Sequence, residues 1–325
     1  MRSIEGLRGA AIVTRGGRVT LEAAGGLADA SAGVPCTPRT RFQIASVSKQ
    51  FTAVAVMLLA ESGQLDLAEP VARWFPGGPP QWQRVTLHHL LTHTAGVRHW
   101  GDVPGFDPSQ PIDLAERVAL VLQAPLLTEP GTRWQYSSLG YVLAGYIVAR
   151  ASGQPYPSFL AERVLVPLGL TETSSGDVPA SGAARGYRDG QPVVSWPLSA
   201  MAGTGEIWST AGDLARFTAG VHSGSLLSQR SLQTMITPHA PLPDGQGTSD
   251  GWTVWDGYGY GRFIGRIAGH PACFHPGDNP GYQSLAVWLP DRAACVAVVS
   301  NDEAADIEAL LRRLMPVALA DDEPG

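Results

Sequence analysis

Lysine is almost missing from this chain. Among 325 residues there is one, Lys49, and the other 22 basic residues are arginine. Cysteine is scarce as well: Cys36, Cys273 and Cys295 are odd in number and lack metal-type spacing. That excludes a disulfide framework and points to reduced core thiols. No uninterrupted apolar run reaches the roughly 18 residues of a membrane span, so no membrane partner is expected. No basic run occurs, and the formal charge of −6 argues against nucleic acid. The start, Met1 to Gly6, has no apolar segment of the signal-peptide kind, and with reduced thiols this places the expected location in the cytoplasm. What remains is an ordinary apolar content of 44 %, enough core for a single catalytic domain over residues 1–325.

The lone lysine has a telling position, in Ser46-Val47-Ser48-Lys49. Arginine serves as well as lysine for solubility or a surface ion pair. It cannot serve where a side chain must lose a proton near neutral pH, because guanidinium stays charged. The plain alternative is a lysine that survives by chance on a solvated helix face. The surroundings favour a specific task. After Phe42-Gln43-Ile44-Ala45, Ser46 can cap a helix on which Phe51, Val54, Ala55, Leu58 and Leu59 recur at helical spacing, with Gly63 as the stop. Residues three apart on a helix share a face, so the Lys49 amine is expected one turn from the Ser46 hydroxyl. A helix N-terminus adds free N–H groups that stabilise an oxyanion. Nucleophile, base and oxyanion site are thus predicted from one turn.

Along the chain, Ala11-Ile12-Val13, the turn Arg15-Gly16-Gly17-Arg18, and Val19 to Leu21 read as a hairpin. From Ser46 to about residue 200 the pattern is mostly helical, as in Leu139 to Ala149 and Phe159 to Val166, and a further helix follows Thr210. Strand-like runs return at Gly261–Ile267, Ala272–His275, Gln283–Leu289 and Ala294–Ser300, before a last amphipathic helix from Ile307. The expected fold is α+β: an antiparallel β-sheet flanked by helices and built from both chain ends (1–45 with 205–325). A mostly helical region (46–204) is inserted between them.

Two further landmarks carry polar groups. Glu129 to Ser138 is a turn leading into a helix and contains Tyr136-Ser137-Ser138; taken alone, such a tyrosine is usually packing. Phe274-His275-Pro276-Gly277-Asp278 closes a strand. Pro276 cannot donate to a ladder, so that strand is predicted to be an edge or to carry a bulge, offering a backbone N–H toward the Ser46 helix.

In this order the three elements resemble the serine β-lactamase and penicillin-binding-protein superfamily, in its class C-like branch. Leu90-Leu91-Thr92-His93-Thr94-Ala95-Gly96, Pro130-Gly131, Pro167-Leu168-Gly169-Leu170 and Ser209-Thr210-Ala211-Gly212-Asp213-Leu214 extend the likeness over nearly the whole chain. The resemblance implies Ser46 as acyl-accepting nucleophile, Lys49 as its proton partner and Tyr136 as proton shuttle. It also implies an oxyanion hole from the backbone N–H groups of Ser46 and Asp278, and no cofactor. Two departures bear on substrate. Ser138 stands where the family usually has asparagine, and His275-Pro276-Gly277 stands where it usually has Lys-Thr-Gly. Both weaken recognition of a peptide or penicillin carboxylate, so Ser138, His275 and Gly277 are candidate substrate-binding positions for a different ligand.

His88, His89, His93 and His99 cluster, but without a His-Glu-x-x-His pattern, so no metal site is assigned. Gly247-Thr248-Ser249-Asp250-Gly251 matches a nucleophile elbow in letters only, since it lies in a polar loop. Trp252, Trp255, Tyr258 and Tyr260 are candidates for an acyl-pocket wall. The expectation is a serine hydrolase forming a Ser46 acyl-enzyme with a small-molecule ester, amide or lactam. An acyltransferase using the same intermediate, or a β-lactamase or D-alanyl-D-alanine carboxypeptidase or D-aminopeptidase, is the nearest alternative. A catalytically weak ligand-binding relative is the outside one. Oligomeric state is open.

Overall fold

The computed structural model describes residues 4–179, 181–243 and 247–320. Strands β1 (Gly9–Arg15) and β2 (Arg18–Gly25) pair antiparallel around a two-residue reversal, Arg15 opposite Arg18. Gly16 and Gly17 both have positive φ, 52° and 78°, the backbone that lets a tight hairpin follow the strand twist. Five strands come from the other end: β3 (Thr253–Tyr258), β4 (Phe263–Ile267), β5 (His270–Asn279), β6 (Tyr282–Leu289) and β7 (Ala294–Ser300). They join in one seven-stranded antiparallel sheet of order β3-β4-β5-β6-β7-β1-β2, in which β7 pairs with β1.

Alternation along these strands feeds two cores. Ala11, Val13, Val287, Val296 and Val298 pack with the last helix, whose buried face is Leu310, Leu311 and Leu314. Ile12, Ala286, Cys295, Ala297 and Val299 lie on the other face, covered by the helix Ala211–His222, in a core that continues into the inserted region. Its principal helices are α1 (Ser48–Glu61) and α2 (Ser138–Ser152). Helix α3 (Ala211–His222) follows the insert, and α4 (Ile307–Leu319) closes the fold. Helix α1 is buried on nearly every side, and its Phe51 stacks on Phe217 of α3 with centroids 3.6 Å apart.

The hairpin, the strand runs, α3 and α4 fall where the sequence places them. Among the described residues, the helices of ten or more residues in the 46–204 region are α1, Leu114–Gln123 and α2, joined by loops rich in Pro and Gly. Residues 4–7 form a turn, closed by Leu7 N–H to Ile4 O. Two readings need correction. The strand holding Pro276 lies inside the sheet; β4 pairs with it only as far as Phe274, so Pro276 sits beyond that ladder's end. Finally, β3 is an edge strand in the aromatic Gly-rich stretch, where a register shift between Trp255 and Gly257 breaks the alternation that marks a strand in sequence. Cys273 and Cys295 both oppose Trp288 from neighbouring strands, and all three thiols are buried and free. Among the described residues no helix is long and apolar enough to cross a membrane.

Candidate active site

Ser46 does not cap α1. It occupies a short 3₁₀ turn, Ala45–Val47, and α1 begins at Ser48 with Val47 before it. In a 3₁₀ turn residues i and i+3 nearly eclipse, which brings Lys49 directly over Ser46. The Lys49 Nζ lies 2.9 Å from Ser46 Oγ, and it donates to the Thr204 carbonyl at 3.2 Å. Ala45 holds a left-handed φ of 47°, an unfavourable backbone for a residue with a Cβ, immediately before the serine. The Ser46 N–H has no acceptor among the described residues. Lys49 is completely buried. Desolvation holds its amine well below the usual lysine range, and the Glu206 carboxylate opposes that fall.

Tyr136 completes the cluster. Burial pushes its hydroxyl up to about 12, and the neighbouring Ser46 and Ser138 side chains act the other way. The Lys49 Nζ stands 5.0 Å from the centre of its ring. The tyrosine is held by His93, which the sequence presents only as part of a histidine group. The His93 carbonyl accepts the Gln135 N–H at 2.8 Å, and its Nδ1 accepts the Ser137 N–H at 3.1 Å, so the two residues flanking Tyr136 are both tied to it. His93 adopts φ 58°, with its ring 4.4 Å from Tyr136 and 4.6 Å from Tyr258. Accepting at Nδ1 puts the proton on Nε2, and burial keeps the ring neutral. Among the described residues no group of three metal-type ligands forms.

The end of β5 runs past the Ser46 turn. A Cβ on Gly277 would lie 2.2 Å from Ser284 Oγ, 2.4 Å from the Ile44 carbonyl and 3.2 Å from Ser46 N, so only glycine allows this approach. His275 is 1 % exposed, and burial pushes it down to about 3. Its Nδ1 lies 2.6 Å from the Pro276 carbonyl, which can only accept; Nδ1 therefore carries the proton, and Nε2 accepts a hydrogen bond from the Tyr258 hydroxyl at 3.0 Å. Both ring nitrogens are engaged inside the protein. Asn279 next in line donates to Gln43 Oε1 at 2.8 Å and the Gly205 carbonyl at 3.0 Å, and Gln43 Nε2 donates to Ser195 Oγ at 2.6 Å.

A cleft of about 560 Å³ opens in front of Ser46, lined also by Tyr136, Ser138, His275, Gly277 and Asp278. The sequence-selected positions thus lie together. Aromatic rings supply much of the wall: Trp255 packs 4.3 Å from Phe263, and Trp100 meets Trp196 at 5.5 Å. The charged lining consists of Asp278, Arg188 and Glu303, with Arg188 Nε bonded to Glu303 Oε2 at 2.9 Å. Burial and Glu303 raise the Asp278 carboxyl, while Arg188 acts the other way. Sequence reading missed His93, Glu206, Asn279, Trp100 and Trp196 as parts of the site. Of these only His93 carried a signal, its place among the clustered histidines.

A seven-stranded antiparallel sheet with a helical insert, and a serine, lysine and tyrosine gathered at their junction, define the penicillin-binding-protein and β-lactamase class of fold. The chain belongs to the Beta-lactamase family, whose model matches residues 3–319. It is 38 % identical over 199 residues to the esterase EstB of Burkholderia gladioli, covering 56 % of this chain and 50 % of that one. The chain therefore spans half the length of this relative. Among solved structures, a penicillin-binding protein from Bacillus halodurans superposes with a TM-score of 0.81 at 28 % identity, over 95 % of this chain and 96 % of that one. The D-amino acid amidase of Ochrobactrum anthropi SV3 superposes with a TM-score of 0.79 at 28 % identity, over 95 % and 91 %.

Proposed function

We propose that the protein is a serine hydrolase that forms an acyl-enzyme on Ser46 and prefers small, uncharged esters, with amides as slower substrates. The observation that carries this reading is the fully buried Lys49 amine 2.9 Å from Ser46 Oγ. Burial disfavours the ammonium, so the amine has a lone pair to take the serine proton as Oγ attacks the carbonyl. The Ser46 N–H and the Asp278 N–H receive the oxyanion. Preorganised donors of this kind contribute roughly 3–4 kcal/mol each to the transition state. Tyr136, close to Ser46 and with a high proton affinity, passes a proton to the leaving group. Water then cleaves the acyl-enzyme by the same steps in reverse.

The substrate preference rests on charge. A carboxylate-bearing lactam or peptide needs a cation beside the third motif. His275 is neutral with both nitrogens engaged, and Arg188 is paired with Glu303. The aromatic lining suits an apolar acyl or leaving group, and the similarity to an esterase supports the same choice.

The test is covalent. A fluorophosphonate probe should add once to the wild type by intact mass and not at all to Ser46→Ala. In a rate panel of a short-chain chromogenic ester, a D-alanyl anilide and a cephalosporin, the ester should lead by orders of magnitude. An unlabelled wild type would end the hydrolase reading, and a leading cephalosporin would end the substrate preference.

A further inference from the structure

Behind Lys49, away from the cleft, lies a polar site that the proposed reaction leaves unused. The segment Thr204 to Ile207 runs along the first turn of α1: Thr204 O accepts from Lys49 Nζ at 3.2 Å, and the Ile207 N–H donates to Ser48 Oγ at 3.3 Å. Glu206 lies between these contacts, 1 % exposed, and it does not line the cleft. Its carboxylate accepts the Gly205 N–H at 3.1 Å and the Ser175 hydroxyl at 3.1 Å, with the backbone of Gly203 and of Glu206 itself also in reach. Among the described residues it has no ion-pair partner within bonding distance, and its negative charge raises the Lys49 amine. Burial raises this carboxyl above the usual range, while the surrounding N–H and O–H donors pull the other way and favour its ionised form.

We propose that Glu206 is a positioning residue for the Ser46 reaction, a buried negative charge behind Lys49 that sets the pH below which the amine can no longer act as base. The role rests on the hydrolase reading given above. As acylation proceeds, the Ser46 proton moves onto the Lys49 lone pair, and the ammonium so formed faces the carboxylate. Glu206 thus strengthens the base and, by the same attraction, narrows the range in which it is free. The other groups around Lys49 push the opposite way or carry no charge. The rings of Tyr136 and Tyr141 lie 5.0 and 5.8 Å from Nζ. His93, His99 and His275 are coupled to Lys49 by mutual repulsion and are held neutral by burial. Arg262 repels His275 in turn, Asp278 acts on Tyr136, and Tyr156, bonded to Thr52 of α1, senses Glu206.

Removing the negative charge makes the ammonium harder to form, so the Lys49 midpoint must fall. At an effective dielectric constant near 20 the expected fall is about one to two pH units. Because the chain has a single lysine, protein labelled with lysine enriched in ¹³C at Cε gives one resonance for Lys49 alone. Glu206→Gln is expected to move its titration midpoint down by that amount and to shift the acid limb of ester kcat/KM likewise. The plateau rate should drop about threefold, because the base is weaker. The two profiles then cross, which a merely structural defect would not produce. If the Gln variant does not fold, Glu206→Ala removes the charge without asking an amide to fit. An unmoved midpoint in the folded variant, with ester turnover present, overturns the role of Glu206. A moved midpoint without any ester turnover overturns the hydrolase reading on which that role depends.

Discussion

Ser46 stands between two unlike regions. Behind it, the Lys49 amine, the Thr204 carbonyl and the Glu206 carboxylate form a sealed polar pocket, buried and hydrogen-bonded. In front, an open cleft is walled by tryptophans and phenylalanine contributed by separate loops and strands. The rear region tunes proton affinity, where burial makes small displacements costly. The front region offers apolar area, with Arg188 and Glu303 of its charged lining paired to each other, and area tolerates exchange. On this division, substitutions behind the serine should change kcat and its pH dependence, and those in front should change KM.

The strongest challenge to the division is at Lys49. Lys49→Arg keeps the charge but not the removable proton, and kcat/KM for a short-chain ester is expected to fall at least about 10³-fold. Lys49→Met should be as inactive yet unfold at a higher temperature. Burial lowers the folded-state pKa of this lysine. The unfolded chain therefore binds more protons between that value and about 10.4, and the penalty is greatest below the folded pKa and gone above the unfolded one. The gain in thermal midpoint should accordingly shrink as pH rises. An unchanged midpoint would mean that the amine costs nothing to bury.

Gly277→Ala probes the boundary between the regions. Its Cβ would strike the Ile44 carbonyl and Ser284 Oγ, prising β5 from the serine turn. The expected loss is about 10²-fold in kcat, the scale of one displaced oxyanion donor, with KM nearly unchanged. Steady-state kinetics on the same ester would decide it, and a loss confined to KM would move Gly277 into the front region. The smallest effect is expected at Trp255→Ala. KM for an aryl ester should rise about tenfold, from lost apolar contact, while kcat stays within a factor of about two. If an acetyl ester suffered as much as the aryl ester, Trp255 would be supporting the sheet edge and not the substrate.

The rear region was largely legible because its key pair is local. Ser46 and Lys49 are three residues apart, and any helical turn brings them together, although the turn proved to be 3₁₀ and Ser46 is not the cap. The sheet was legible wherever strands alternate without interruption, as in β6 and β7. It was not legible in β3, where the shift after Trp255 spoils the period and hides the partner of His275. Glu206 resembles any surface carboxylate before a short strand. Only the packing of residues 203–206 against α1 and the Ser174–Ser175 strand makes it internal. Trp100 and Trp196 lie 96 residues apart in loops, where no period exists to predict that they meet.

The amide relay from Asn279 through Gln43 to the Ser195 hydroxyl has a bearing on redesign. It fastens the loop that carries Trp196 to the same strand end that carries Gly277. A graft of the 189–197 loop from a relative would therefore seat correctly only if it brings a hydroxyl or amide to the position of Ser195. With that one constraint met, the front wall becomes a replaceable part on an unaltered chemical chassis.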